Sequence, residues 1–387
     1  MRMLQSVLNC LKNVNPLIRT YVLSLMLTSG KKNCAEMARS TRVSPDTLYE
    51  FLSHAKICSK EIEKMLLDYA DQTRAEGVLR ALTVDPTTLI KRYAYIMDNL
   101  CYDMAGCTKH VERCLVPVYI SITDKNVKIP LDLDFWVQEK ITGKRKYKSK
   151  VKITQKLILS CRNKGVKFDF VPLDGAYSAG PNMFKFFKEE MLKFTMRIAR
   201  TRCIELPDGT RVQLKHCPTL KLMKNTREKT IQAKLYGETY FFTAQKRRKS
   251  RGGWETVFLV SNMDLPAKEQ VAAFNQRWPQ EKINRTTKQK FGSNQCQVLE
   301  SQKQRAHILA GFLAHTILEI KKNDNQANNV DEMVNILRGD HFNDLMQSNV
   351  KSHTSQNKSN VDQDLKTFQS CPQATSKNVN QYSSFWT

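Results

Sequence analysis

The sequence predicts an α/β protein preceded by an all-helical segment. Three patterns carry this reading. From about Gly77 onward, short apolar runs alternate with helical patterns; before it, only helical patterns occur; and residues 200–262 return to alternating runs punctuated by turn residues.

The helical segment, taken as residues 1–76, holds its clearest signal between Ala35 and Leu52. Ser44 is a natural N-cap, Pro45 suits the first helical position, and Val43 is placed to pack inward. Two short helices around such a turn form a helix-turn-helix unit, a DNA-docking motif whose exposed face would begin at Thr47 or Tyr49. An ordinary helical hairpin gives the same pattern.

The α/β region is taken as residues 77–322. Strands are expected at 78–84, closed by Asp85, at 116–122, and at 127–135. The basic run 144–150 leads into a helix at 153–163, which Lys164-Gly165 ends. Another strand, 168–173, closes at Asp174, and Pro181 opens a helix expected to run through Phe194. Within the β-rich stretch, Pro207-Asp208-Gly209-Thr210 and Tyr236-Gly237-Glu238 mark turns, and a basic loop spans 246–253. Helix returns from about Ala267. Residues 323–387 lose apolar periodicity and read as a polar, weakly ordered tail with one short helix at 331–337.

Charge narrows the partners. Lys and Arg number 62 against 37 Asp and Glu, a net +25 with a pI near 9.6. A soluble chain tolerates that self-repulsion best when its partner is a polyanion, nucleic acid first among them. Eleven cysteines are scattered without a CxxC pair, and the tightest group, Cys101, Cys107, His110 and Cys114, fits no zinc spacing, so reduced thiols are expected. The N-terminus has no secretory pattern, and the longest apolar stretch, 308–320, is broken by His315 and Glu319 and is too short for a bilayer. A cytoplasmic protein without membrane contact is the expectation.

Three acids sit where a metal nuclease needs them. Asp85 and Asp174 end strands, and carboxylates at strand ends converge in the crevice where α/β sheets bind ligands. Glu281 lies on a helix crowded with cations. Hard oxygen ligands of this kind hold Mg²⁺ and leave positions for water and phosphate. Singly, a strand-terminal Asp is more often a turn residue and a helical Glu a solvated one.

The neighbourhood of Glu281 changes that weighting. Two residues separate Phe274 from Arg277, three separate Arg277 from Glu281, and six separate Glu281 from Lys288. This resembles the Tyr-(2)-Arg-(3)-Glu-(6)-Lys signature of DDE transposases of the insertion-sequence-four type, with Phe274 in the Tyr position. Asp85 with Thr87, Thr88 and Lys91 resembles the family's first Asp motif, and Asp174-Gly175-Ala176-Tyr177 its second. The resemblance covers about residues 20–320. Pro279 cannot lie inside a helix, so the Glu-bearing helix is expected to start there.

The resemblance implies an RNase H-like catalytic core, a mixed sheet flanked by helices, with a β-rich insertion at about 200–262. It implies a bacterial, nucleoid-associated transposase that binds the inverted-repeat ends of its element, assembles as a homodimer on DNA, and cuts and joins strands. Asp85, Asp174 and Glu281 would be catalytic and would hold two Mg²⁺ ions, with Mn²⁺ as a substitute. Arg277 and Lys288 would hold phosphates of double-stranded DNA, and Arg285, Lys91, Tyr177, Trp254, Lys246, Arg247 and Arg248 would add contacts. For Trp254 the implied role is a platform for an extruded base; burial in a core or hairpin is the commoner fate of such a ring. The rival reading is a catalytically inactive, transposase-derived DNA-binding protein.

Overall fold

The computed structural model describes residues 3–249, 252–322 and 324–344. The chain divides into two compact units, Met1–Arg338 and Gly339–Thr387; in the second, residues 339–344 are helical.

Five helices come first: α1 (Met3–Cys10), α2 (Pro16–Leu27), α3 (Cys34–Thr41), α4 (Pro45–Ser53) and α5 (Ala55–Gln72). Side-chain caps define three of their starts. Asn15 accepts from the Leu17 amide, Asn33 from Glu36, and Ser44 from Asp46, with Pro16 and Pro45 in the first turns. The α3–α4 turn has no glycine; Arg42 takes the left-handed conformation instead, at φ 57°.

The first sheet comprises β1 (Ala81–Pro86), β2 (Leu89–Ile90), β3 (Cys101–Ala105), β4 (His110–Thr123) and β5 (Lys128–Trp136). The long β4 is its axis, pairing antiparallel with the other four. After α6 (Glu139–Thr142) and α7 (Lys150–Asn163), a second sheet begins with β6 (Val171–Leu173). Then come α8 (Asn182–Glu189), β7 (Phe194–Ile198), β8 (Cys203–Glu205), β9 (Arg211–Gln213), β10 (Glu228–Leu235), β11 (Glu238–Arg248) and β12 (Trp254–Ser261). Its order is β6-β7-β12-β11-β10-β8-β9, with only β6 and β7 parallel. The two sheets meet where β1 runs alongside β6: Ala81 bridges Phe170 in parallel, and the Leu82 amide donates to the Phe170 carbonyl at 2.9 Å.

Three more helices follow: α9 (Ala267–Asn275), α10 (Trp278–Gln289) and α11 (Ser301–Lys321). Residues along β4 alternate between two cores, as a strand covered on both faces must. Val118, Ile120 and Ile122 share one with Ile153, Leu157 and Ile158 of α7; Leu115 and Tyr119 share the other with α11. Buried nearly all round, α11 has to be enclosed. The N-terminal helices, Tyr119 (edge-on to Phe312 at 4.8 Å) and residues 330–337 enclose it. Residues 1–76 thus lie in the same compact unit as the α/β core.

Several expectations shift. The helix opened by Pro181 ends at Glu189, not Phe194: Met191 adopts φ 51°, the Leu192 amide folds back to the Phe187 carbonyl, and Phe194 starts β7. The reason is that Phe194, Met196 and Ile198 supply a buried alternating strand face. The β-rich stretch is a lateral extension of the sheet, because β12 pairs directly with β7. Residues 331–337 are helical, within a run starting at 330. Ser250 and Arg251 of the basic loop, and 345–387 of the expected tail, lie outside the described residues.

Candidate active site

Register brings two of the three acids level. Asp85 lies four residues past Ala81, and Asp174 four past Phe170; since Ala81 and Phe170 are bridged in parallel, equal offsets carry both acids to the same end of adjoining strands. Asp85 pairs with Tyr119 inside the ladder, while Asp174 is extended (φ −75°, ψ 166°) just beyond β6.

The third acid comes from α10, which packs against β1, β4 and β5. That helix opens at Trp278 with Pro279 in its first turn and Glu281 close behind, near the positive end of the helix. Arg277 immediately precedes it. Its guanidinium contacts Glu281 Oε1 at 2.9 Å and lies 3.8 Å from Asp85 Oδ1, so one cation is shared between two acids. Phe274 packs with Val257, Leu259 and Val271, keeping a ring at the position where the signature has Tyr.

Electrostatics bind the group together. Burial raises the Asp85 carboxyl to about 7; Arg277 and Lys288 pull it down, and Glu281 and Asp174 push it up. Lys288 is itself lowered by burial, with Cys107 and Asp85 opposing.

The donor set fits a hard divalent cation in kind: three carboxylates, one of them half-buried and raised by that burial. Yet Glu281 is turned onto Arg277, and no cluster of three or more His, Cys, Asp or Glu close enough to hold an ion forms among the described residues.

The expected DNA contacts divide. Arg285 is more than half exposed and 3.5 Å from Asp331. Lys246 lies 5.4 Å from the centre of the exposed Trp254 ring, at the start of β12; Arg247 lies over Trp278 and Arg248 is exposed. Trp254 is therefore a hairpin residue with an open ring, not a core one. Lys91 and Tyr177 differ from expectation. Lys91 is buried, its ammonium held by the carbonyls of Asn294 and Cys296. Tyr177 is buried with its hydroxyl accepting from Thr154 at 3.0 Å. Both side chains are buried, and the Lys91 ammonium is already engaged by backbone carbonyls, so neither offers the exposed polar tip that a phosphate contact was expected to use.

Two features escaped the sequence reading. A buried relay runs from Thr83 Oγ1 to Gln280 Oε1 (3.0 Å), from Gln280 Nε2 to Asn284 Oδ1 (2.9 Å), and from Asn284 Nδ2 to Asp85 Oδ2 (3.0 Å). The signal was available: Asn284 is three residues past Glu281 and four past Gln280, the same helical flank. The other is Trp278, 41% exposed, with Arg247 and Arg277 both within 6 Å of its ring centre. Beside Asp174, Gly175 helps line a cavity of about 1030 Å³ whose walls include Arg197, Arg200, Lys215, Lys246 and Trp254.

A mixed α/β architecture of sheets flanked by helices is compatible with a DDE nuclease fold. Comparison with known families agrees. Residues 7–216, more than half of the chain, match the DDE superfamily endonuclease model, and residues 124–317 match the transposase DDE domain model. The chain belongs to the DDE transposase and endonuclease superfamily, a family of nuclease-type enzymes. The first match spans Asp85 and Asp174, the second Asp174 and Glu281. No curated protein matched the chain. Among the described residues, no helix is long and apolar enough to cross a membrane.

Proposed function

We propose that the protein is a transposase of the insertion-sequence-four type, which binds the inverted-repeat ends of its element and catalyses divalent-metal-dependent cleavage and strand transfer. An RNase H-like core is supported by the continuous strand order β5-β4-β1-β6-β7, with β1, β6 and β7 parallel and β4 antiparallel to β1 and β5. The observation that carries the proposal is the equal offset of Asp85 and Asp174 from one parallel bridge, with Glu281 on α10 near enough to act on the ionisation of Asp85.

In this reading Asp85, Asp174 and Glu281 hold Mg²⁺, with Mn²⁺ as substitute. Bound as a pair, the ions supply the Lewis acidity that activates an attacking oxygen and stabilises a leaving one. The chain does the rest. Asn284 orients the Asp85 carboxylate through the relay anchored on Thr83. Arg277 exchanges its carboxylate partners for a DNA phosphate, which its planar fork matches, and Lys288 adds a point charge. Trp254 and the cations around its cavity offer an extruded base a ring and its phosphates a counter-charge. Cleavage of paired ends calls for two copies of the chain on DNA, in the bacterial nucleoid.

The inactive, DNA-binding alternative draws on one observation: Arg277 already neutralises Glu281. The two readings separate in one experiment. Purified protein is incubated with duplex DNA carrying the element's own terminal repeats and Mg²⁺. The proposal expects site-dependent nicking that Glu281→Gln abolishes while end binding survives. Binding without nicking by the unmodified protein selects the alternative, and equal nicking by Glu281→Gln removes that residue from the mechanism.

A further inference from the structure

The hairpin of β3 and β4 presents a face that the proposed chemistry does not use. Its register sets Tyr102 opposite Arg113 and Met104 opposite Val111; Asp103 lies opposite Glu112 on the alternate, inner face. Pleating therefore sorts the charges. Both carboxylates point away from the outer face and are taken there by cations, Asp103 by Lys150 at 2.7 Å and Glu112 by Arg92 at 2.8 Å. The outer face keeps Tyr102, Met104 and Val111 exposed, and the loop before β3 adds Tyr95, 78% exposed, with Tyr93 and Ile96. So much contiguous apolar and aromatic surface in water marks an interaction site.

Cations organise the rings. The Arg113 guanidinium sits 4.5 Å from the Tyr95 centroid and 5.7 Å from that of Tyr102. It also donates to the Tyr102 hydroxyl at 3.1 and 3.2 Å and to the Ala94 carbonyl at 3.0 Å, which fixes its position. Lys140 stands over the Tyr102 ring at 5.7 Å and leads into exposed Lys144, Arg145, Lys146 and Lys148. At the other end, the hairpin tip carries Cys107, which lies near Lys288 of α10.

We propose that this outer face binds a single, unpaired DNA strand, stacking bases on Tyr95 and Tyr102 while Arg113, Lys140 and the 144–148 run hold its phosphates. Rings offered at a surface stack on bases only when those bases are unpaired, and an aromatic face edged by cations has the chemistry of a strand-binding platform. A second copy of this chain, with the same net charge and the same cationic rim, would meet like charge there. The inference rests on the nucleic-acid reading of the protein but not on its catalysis, so binding is read in chelator without divalent cations.

The test measures anisotropy of a labelled oligothymidylate of about 20 nucleotides, beside a duplex of equal length. The expectation is that Tyr95→Ala with Tyr102→Ala weakens oligothymidylate binding by roughly tenfold or more. Tyr95→Phe with Tyr102→Phe, which keeps the rings, stays near the unmodified protein, and duplex affinity changes little in either. Circular dichroism verifies that both variants fold. Unchanged oligothymidylate affinity in the Ala pair, with duplex binding intact, overturns the platform alone. Failure of the unmodified protein to bind either DNA overturns the nucleic-acid reading with it. If the Ala pair converts a DNA-free dimer to monomer in sedimentation velocity and leaves oligothymidylate affinity unchanged, the face is a protein interface and the proposal falls.

Discussion

Asn284 Nδ2 donates to Asp85 Oδ2 at 3.0 Å, tying α10 to β1. The bond matters because Asn284 cannot turn freely: its oxygen is engaged by Gln280, and Gln280 is engaged by Thr83 on the strand that carries Asp85. The loop of contacts closes on itself and fixes one lone-pair direction of the carboxylate. Asn284→Ala leaves the buried Gln280 amide short of an acceptor, at about 1–3 kcal/mol of stability. It should also slow nicking by roughly tenfold or more, on the scale of other orienting groups, while binding of terminal-repeat DNA is retained. Single-turnover cleavage alongside a mobility-shift titration separates the two effects; a loss confined to binding would refute the positioning role.

Arg277 holds carboxylate oxygens that the proposed metal would need. It contacts Glu281 at 2.9 Å and approaches Asp85 at 3.8 Å with its side chain largely enclosed. Removing it frees both carboxylates from a fixed positive charge, so Arg277→Gln should bind Mn²⁺ more tightly than the unmodified protein in DNA-free calorimetric titrations. The same variant should bind terminal-repeat DNA more weakly, having lost a phosphate fork. Weaker Mn²⁺ binding would show that Arg277 supports the carboxylates instead of occupying their oxygens.

Lys91 offers a contrast between a surface cation and an interior one. Its ammonium bonds the carbonyls of Asn294 and Cys296 from a buried position, and burial lowers its pKa. Lys91→Met should therefore cost about 1–3 kcal/mol in urea unfolding, since two buried carbonyls lose their donor. DNA affinity and its dependence on salt should stay as they were. A flatter salt dependence would mean that Lys91 reaches phosphate after all.

Much of this arrangement was legible in the chain itself, for identifiable reasons. Asp174 just beyond its strand, Ser44 as a cap and Pro279 as a helix start follow from local chemistry that any fold must respect, whereas Asp85 stays inside the ladder of β1 instead of closing it. Lys91 and Tyr177 misled because their motif neighbours point to DNA, whereas Lys91 is buried against the loop after α10, far away in sequence, and Tyr177 against α7. The Thr83–Gln280–Asn284–Asp85 relay was only half legible: helical spacing puts Gln280 and Asn284 on one flank, but nothing ties that flank to Asp85 until two elements 199 positions apart are brought together. Phe194 was assigned to the preceding helix because its apolar neighbours suit either period, and only pairing with β6 and β12 selects the strand.

The helix at the centre of the core carries an acid sensitivity. His307 and His315 on α11 are buried, and burial holds both near pKa 4. His307 sits 3.1 Å from the Gly292 carbonyl, which can only accept, so its Nε2 bears the proton and its Nδ1 accepts from the Tyr21 hydroxyl at 2.9 Å. The His315 ring makes no well-formed hydrogen bond among the described residues, its nearest polar partner being the Lys128 backbone. Each folded pKa lies below the ordinary value of 6.5, so their stabilising contribution is complete above about pH 6.5 and is lost as pH falls toward 4. Lowering the pH from 7 to 5 should cost on the order of 2 kcal/mol for each histidine. His315→Leu replaces a weakly partnered polar ring with an apolar group, so it should remove about half of that two-histidine loss with little weakening of the protein at pH 7. Urea unfolding at the two pH values measures this directly, and an equal decline in the variant would mean that His315 is already protonated, or solvated, in the native state.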